Sequence, residues 1–119
     1  MKRPAAFNFF VNDWLGSVRI MSMTLAEEGA YIRLMATAWS APEKDCGLPD
    51  DDSTLANLSR LGEAWFNGSG QRLKACFPLV ENGRRYNAKL SEQWERSVKY
   101  IETRQKCANK RWHPEEDDA

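Results

Sequence analysis

Near the start of the chain Phe7, Phe9 and Val11 alternate with Asn8 and Asn12. That two-residue period predicts a short half-buried strand, followed by a brief turn through Trp14-Leu15-Gly16 capped by Asp13. The period changes at Thr24-Leu25-Ala26-Glu27, a capping box in which the hydroxyl and the carboxylate each accept a free backbone amide hydrogen. A helix therefore starts at Thr24. Tyr31, Leu34, Met35 and Ala38, flanked by Ile32 and Trp39, form its wide apolar stripe, and Pro42, which has no amide hydrogen, ends it near Ser40.

Residues 41 to 53 are rich in loop formers, and Asp50 to Ser53 gather cap acceptors and negative charge ahead of another helix. Leu55, Leu58 and Leu61 give that short helix its apolar side, and Gly62 serves as its C′ residue. Two further helical pieces follow, Glu63 to Phe66 and Gln71 to Phe77, with a break or tight bend where Gly68 and Gly70 stand in three positions. Asn82-Gly83, between Phe77-Pro78-Leu79-Val80 and Arg84-Arg85-Tyr86-Asn87, signals a small hairpin. From Ala88 to Trp112 there is neither Pro nor Gly, and Leu90, Trp94, Val98, Ile101, Ala108 and Trp112 fall largely on one side. Such a helix is roughly 35 Å long, more than a domain of this size covers, so its far end projects, frays or meets a partner.

Length and composition bound these elements to one core. The 119 residues, 42% of them hydrophobic with 13 aromatics, suffice for a single domain over residues 1–112, with an acidic tail at 113–119. Cys46, Cys76 and Cys107 lie far apart, without the close spacing of zinc or redox sites, and read as reduced thiols. Polar residues interrupt the N-terminal apolar run too early for a signal peptide or membrane span, which predicts a cytoplasmic protein.

Net charge is zero by cancellation: residues 54 to 113 hold twelve basic against five acidic side chains, framed by the acidic segments 41–53 and 114–119. A basic stretch of this kind suits a phosphate-facing surface, and equally a solvated helix face of mixed charge.

The order of helix, acidic loop, two short helices, hairpin and closing helix is that of a helix-turn-helix unit with a β wing. The fold class expected is mainly α and winged-helix-like. The chain also resembles the YdaU-like domain of phage and prophage proteins associated with replication initiation. The resemblance is carried by Pro4-Ala5-Ala6-Phe7-Asn8-Phe9-Phe10 with Asn12-Asp13-Trp14-Leu15, then by Leu25-Ala26-Glu27-Glu28-Gly29-Ala30-Tyr31 with Trp39. Further on it includes Gly47-Leu48-Pro49-Asp50-Asp51, Phe77 and Lys110-Arg111-Trp112. It implies a DNA-replication or DNA-binding setting and supplies no catalytic residues.

On the helix-turn-helix plan Asn67, Gln71, Arg72 and Lys74 face bases and phosphates, Arg84 and Arg85 grip the backbone from the wing, and Arg104, Lys106, Lys110 and Arg111 extend the contact. The alternative function is a protein-interaction module, such as a helicase-loader-type adaptor or an inhibitor of a host protein. There the face of Trp94, Val98 and Ile101 covers the core or pairs with another chain, including a second copy. No enzyme is expected. His113 is the lone histidine, Gly68-Ser69-Gly70 lacks the Gly-Lys-Ser/Thr continuation of a phosphate loop, and Asp50, Asp51 and Asp52 lack calcium-loop spacing. Neither a cofactor nor a metal is called for.

Overall fold

In a computed structural model the described residues are 3–112, with only the backbone of Trp112 included; His113 and the acidic tail lie outside them. The chain is mainly helical, with a small two-stranded antiparallel sheet and a long C-terminal helix. In order, the elements are α1 (Val11–Gly16), α2 (Val18–Met21), α3 (Leu25–Trp39), β1 (Leu48–Pro49), α4 (Asp52–Ser59), a 3₁₀ turn (Gly62–Asn67), α5 (Ser69–Lys74), β2 (Arg84–Arg85) and α6 (Ala88–Trp112).

The helix starts follow local chemistry. Thr24 Oγ1 accepts from the Glu27 amide at 3.1 Å, and the Thr24 amide donates to Glu27 Oε1 at 2.9 Å, which completes the expected capping box of α3. Asp51 caps α4 by accepting from the amide and the hydroxyl of Thr54 at 2.8 and 2.6 Å. Its other end closes on Arg60 in the left-handed region (φ 69°), two residues before the Gly62 that the sequence assigned to that role. The bend expected at the glycines falls at Gly68 (φ 108°), between the 3₁₀ turn and α5. Gly70 answers a different need: a Cβ there would sit 2.6 Å from the Trp65 carbonyl oxygen and 2.7 Å from its ring.

Two expectations change. The alternation at Phe7 to Val11 does not form a strand; helix starts at Val11, with Asp13 inside its first turn and no side-chain cap. The extended segment before it is held by a side chain instead, since the Asn8 amide donates to Gln93 Oε1 at 2.8 Å and Gln93 Nε2 donates to the Asn8 carbonyl at 3.1 Å. Second, the hairpin closes around Asn82-Gly83, with Val80 N to Arg84 O at 3.0 Å and Tyr86 N to Pro78 O at 3.1 Å, but β2 also pairs outward with β1. Leu48 lies opposite Arg85 and Pro49 opposite Arg84, so part of the acidic connection read as loop is a strand.

The core gathers Leu34, Ala38 and Trp39 of α3 with Leu48, Leu55, Trp65, Leu73, Phe77, Leu90 and Trp94. Trp94 meets Trp39 edge-on with ring centroids 5.1 Å apart, and Trp39 Nε1 donates to the Pro4 carbonyl at 2.8 Å. Leu90 and Trp94 therefore anchor the first turns of α6, whereas residues 102–111 are all exposed. The molecule measures 60 × 30 × 22 Å, as the projecting helix requires.

Candidate nucleic-acid interface

Around α5 two of the four expected contact residues are engaged within the fold. Arg72 Nε donates to Glu27 Oε2 at 2.8 Å, and the Ser69 hydroxyl donates to the same oxygen at 2.7 Å. The Glu27 side chain is 1% exposed. Burial acts to raise its pKa, but the bonds from Ser69, the Thr24 amide and Arg72 outweigh it and the value is lowered. One carboxylate thus caps α3 and ties α5 to it. Lys74 Nζ lies 3.0 Å from Asp52 Oδ1, an oxygen that also accepts from Trp65 Nε1 at 3.0 Å. Asn67 and Gln71 are exposed.

The hairpin arginines are more firmly held. Arg84 forks onto Asp45 (Nε to Oδ2 2.6 Å, Nη2 to Oδ1 3.0 Å), and its Nη2 also donates to the Gly47 carbonyl at 3.0 Å and to Glu43 at 3.4 Å. Arg85 Nε donates to Asp50 at 2.8 Å and its Nη1 to the Phe77 carbonyl at 3.1 Å. Their side chains are only 20% and 14% exposed. Asp45 also accepts from the Tyr86 hydroxyl at 2.7 Å and the Gly47 amide at 3.0 Å. Against the upward effect of burial, Arg84, Tyr86 and Gly47 hold its pKa down at about 2. The acidic 43–50 segment is the internal counter-charge of the hairpin, and its pairing with Arg84 and Arg85 clamps β2 to the segment that carries β1.

The outer half of α6 differs. Arg96, Lys99, Arg104, Lys106, Lys110 and Arg111 are exposed, and among the described residues none of them forms an ion pair with a carboxylate. Arg104 lies over the Tyr100 ring at 5.8 Å and donates to its hydroxyl at 3.4 Å. Glu102 is the one acidic residue between positions 96 and 112. The sequence points to Arg104, Lys106, Lys110 and Arg111; Arg96 and Lys99 extend the set and could have been found by placing α6 on a helical wheel. Of the expected partner face, Trp94 is 6% exposed in the core, Val98 packs against that core, and Ile101 is half-buried.

A feature the sequence reading missed lies at the other end of α6. A cleft of about 480 Å³ is lined by Phe7, Phe9, Phe10, Trp14, Tyr31 and Gln93 among others. The rings of Phe9 and Trp14 are 5.2 Å apart and those of Trp14 and Tyr31 5.4 Å, and Phe9 and Phe10 are about half exposed. Lys89 enters the same cleft at 3.8 Å from Asp13.

Cys46 and Cys76 are buried, with burial pushing the Cys46 thiol up to about 12, and Cys107 is exposed. Among the described residues no cluster of His, Cys, Asp or Glu is arranged to hold a metal, and no helix is long and apolar enough to cross a membrane. Comparison with protein-family models, curated proteins and solved structures finds no match to this chain.

Proposed function

We propose that this chain is a non-catalytic DNA-binding domain of phage or prophage type, associated with initiation of DNA replication, and that it meets DNA through the outer half of α6. The observation that carries the reading is the group of six exposed basic side chains between Arg96 and Arg111, free of carboxylate partners among the described residues. Phosphate neutralisation by such side chains releases condensed counterions, the dominant sequence-independent source of DNA affinity. The succession α3, β1, α4, α5, hairpin and α6, with β2 between β1 and Leu79, supports a winged-helix-like classification. The replication setting is supported by the resemblance to YdaU-like domains through the Leu25–Tyr31 and Lys110–Trp112 stretches. Titration of labelled single- and double-stranded DNA at several salt concentrations tests the reading: binding that weakens steeply with salt is expected, and binding to neither form overturns it.

A protein-interaction module is the second reading. It is favoured by the apolar side chains that α1, α2 and the start of α3 leave open, with Leu15, Val18, Met21 and Leu25 each at least 67% exposed. Light scattering over a dilution series that shows a concentration-dependent dimer would support it in the form of self-association.

A further inference from the structure

We infer that the DNA strand accommodated by α6 is single, and that it runs along one face of the helix from its projecting end into the aromatic cleft. The inference rests on the proposal that α6 contacts DNA, and adds the form of DNA and the path it takes.

At 3.6 residues per turn, Lys89, Gln93, Arg96, Tyr100, Arg104, Cys107 and Arg111 fall within an arc of about 80°. No carboxylate belongs to that arc. Glu92, Glu95 and Glu102 all lie in a second arc centred about 120° away. The stripe is about 33 Å long at 1.5 Å per residue, and its inner end, Lys89 and Gln93, forms part of the cleft wall. Gln93 brings the two features together, because its paired bonds with the backbone of Asn8 fix the Phe7–Phe10 segment against α6.

The stripe sets one ring, Tyr100, among its cations. Tyr100, 62% exposed, stands between Arg96 and Arg104, and the exposed rings of Phe9 and Phe10 wait at the cleft beside Trp14. A duplex keeps the faces of its bases inside the stack, where rings on a helix surface gain nothing from them. An unpaired strand presents each base face to an aromatic side chain while its phosphates meet the cations between, which is how sequence-tolerant single-strand sites are built. Groove reading by α5 is disfavoured by the same structure: the helix has six residues, and Arg72 and Lys74 are engaged with Glu27 and Asp52. Asp13 sets the limit of the path, since it already compensates Lys89 at the cleft.

The test is fluorescence anisotropy with a labelled mixed-sequence oligonucleotide of about 12 nucleotides, within the site sizes usual for such grooves, as a single strand and as a duplex at one salt concentration. The single strand should bind about tenfold or more tightly. Tyr100→Ala and Phe10→Ala, both at exposed rings, should each weaken single-strand binding about five- to a hundredfold and leave the duplex within about twofold, while Tyr100→Phe, which keeps the ring, should retain wild-type affinity. Equal or tighter duplex binding, or an equal loss on both forms in Tyr100→Ala, overturns the single-strand path and leaves the DNA-binding proposal standing. Binding to neither form overturns both.

Discussion

Replacing Asp45 with Asn removes the charge at the centre of the β1–β2 clamp while keeping its size. In the folded chain Arg84, Tyr86 and Gly47 hold this carboxyl at about 2, against an ordinary value of 3.8. At about 1.4 kcal/mol for each pH unit between the two values, and with a discount because water reaches 26% of the side chain, the ionised form contributes about 2 kcal/mol of stability at neutral pH. Asp45→Asn should therefore lower Tm by roughly 5–10 °C in a domain of this size. The pH dependence has a definite sign. The folded value lies below the unfolded one, so the contribution is fully present above pH 3.8 and is lost as pH falls from there towards about 2. Urea unfolding followed by tryptophan fluorescence at neutral pH, at pH of about 5 and at pH of about 3 measures it: the gap between wild type and variant should hold over the first two and narrow at the third. An unchanged gap at the lowest pH, or a variant as stable as wild type at neutrality, would refute the clamp.

Glu27→Gln should cost about 1–3 kcal/mol, read by the same unfolding titration, because Arg72 loses its charge partner and the donors from Thr24, Ser69 and Arg72 are left with one acceptor oxygen in place of two. Gly70→Ala should destabilise by about 1–3 kcal/mol, since its Cβ would meet the Trp65 backbone and ring at 2.6–2.7 Å; a neutral result in a thermal melt would mean that this close approach is absent. Of the three thiols, Cys107 alone should react rapidly with a thiol reagent in the native protein, with Cys46 and Cys76 following at the rate of unfolding.

What the sequence disclosed follows the range of the interactions involved. The capping box at Thr24 and Glu27, the bend at Gly68 and the turn at Asn82-Gly83 are each decided within a few residues and appear where local chemistry puts them. The long α6, free of Pro and Gly, was equally legible. β1 was not: Leu48-Pro49 has no strand signal of its own and is extended because Arg84-Arg85, 36 residues away, pairs with it. The same distance hid the fate of the basic residues. Arg72, Lys74, Arg84 and Arg85 look free in a count of charges, yet each meets a carboxylate at least 22 positions away in sequence. Among the described residues the cations of outer α6 have no such long-range neighbours because the helix leaves the body, so there the sequence pattern and the exposed surface agree. At Phe7, Phe9 and Val11 the alternation pointed to a strand, whereas the Gln93 bonds hold the Asn8 backbone against α6 beside an aromatic cleft.

In the proposed DNA complex the outer half of α6, and not the hairpin, supplies the phosphate contacts. The most direct measurement is the slope of log affinity against log salt concentration for single-stranded DNA, compared between wild type, the triple variant Arg96→Gln/Arg104→Gln/Arg111→Gln, and Arg85→Gln. Each lost phosphate contact on a single strand reduces the slope by about 0.7, so the triple variant should lose about 2 from its magnitude while Arg85→Gln, confirmed as folded, keeps the wild-type slope. A slope that falls in Arg85→Gln and stays unchanged in the triple variant would contradict the account.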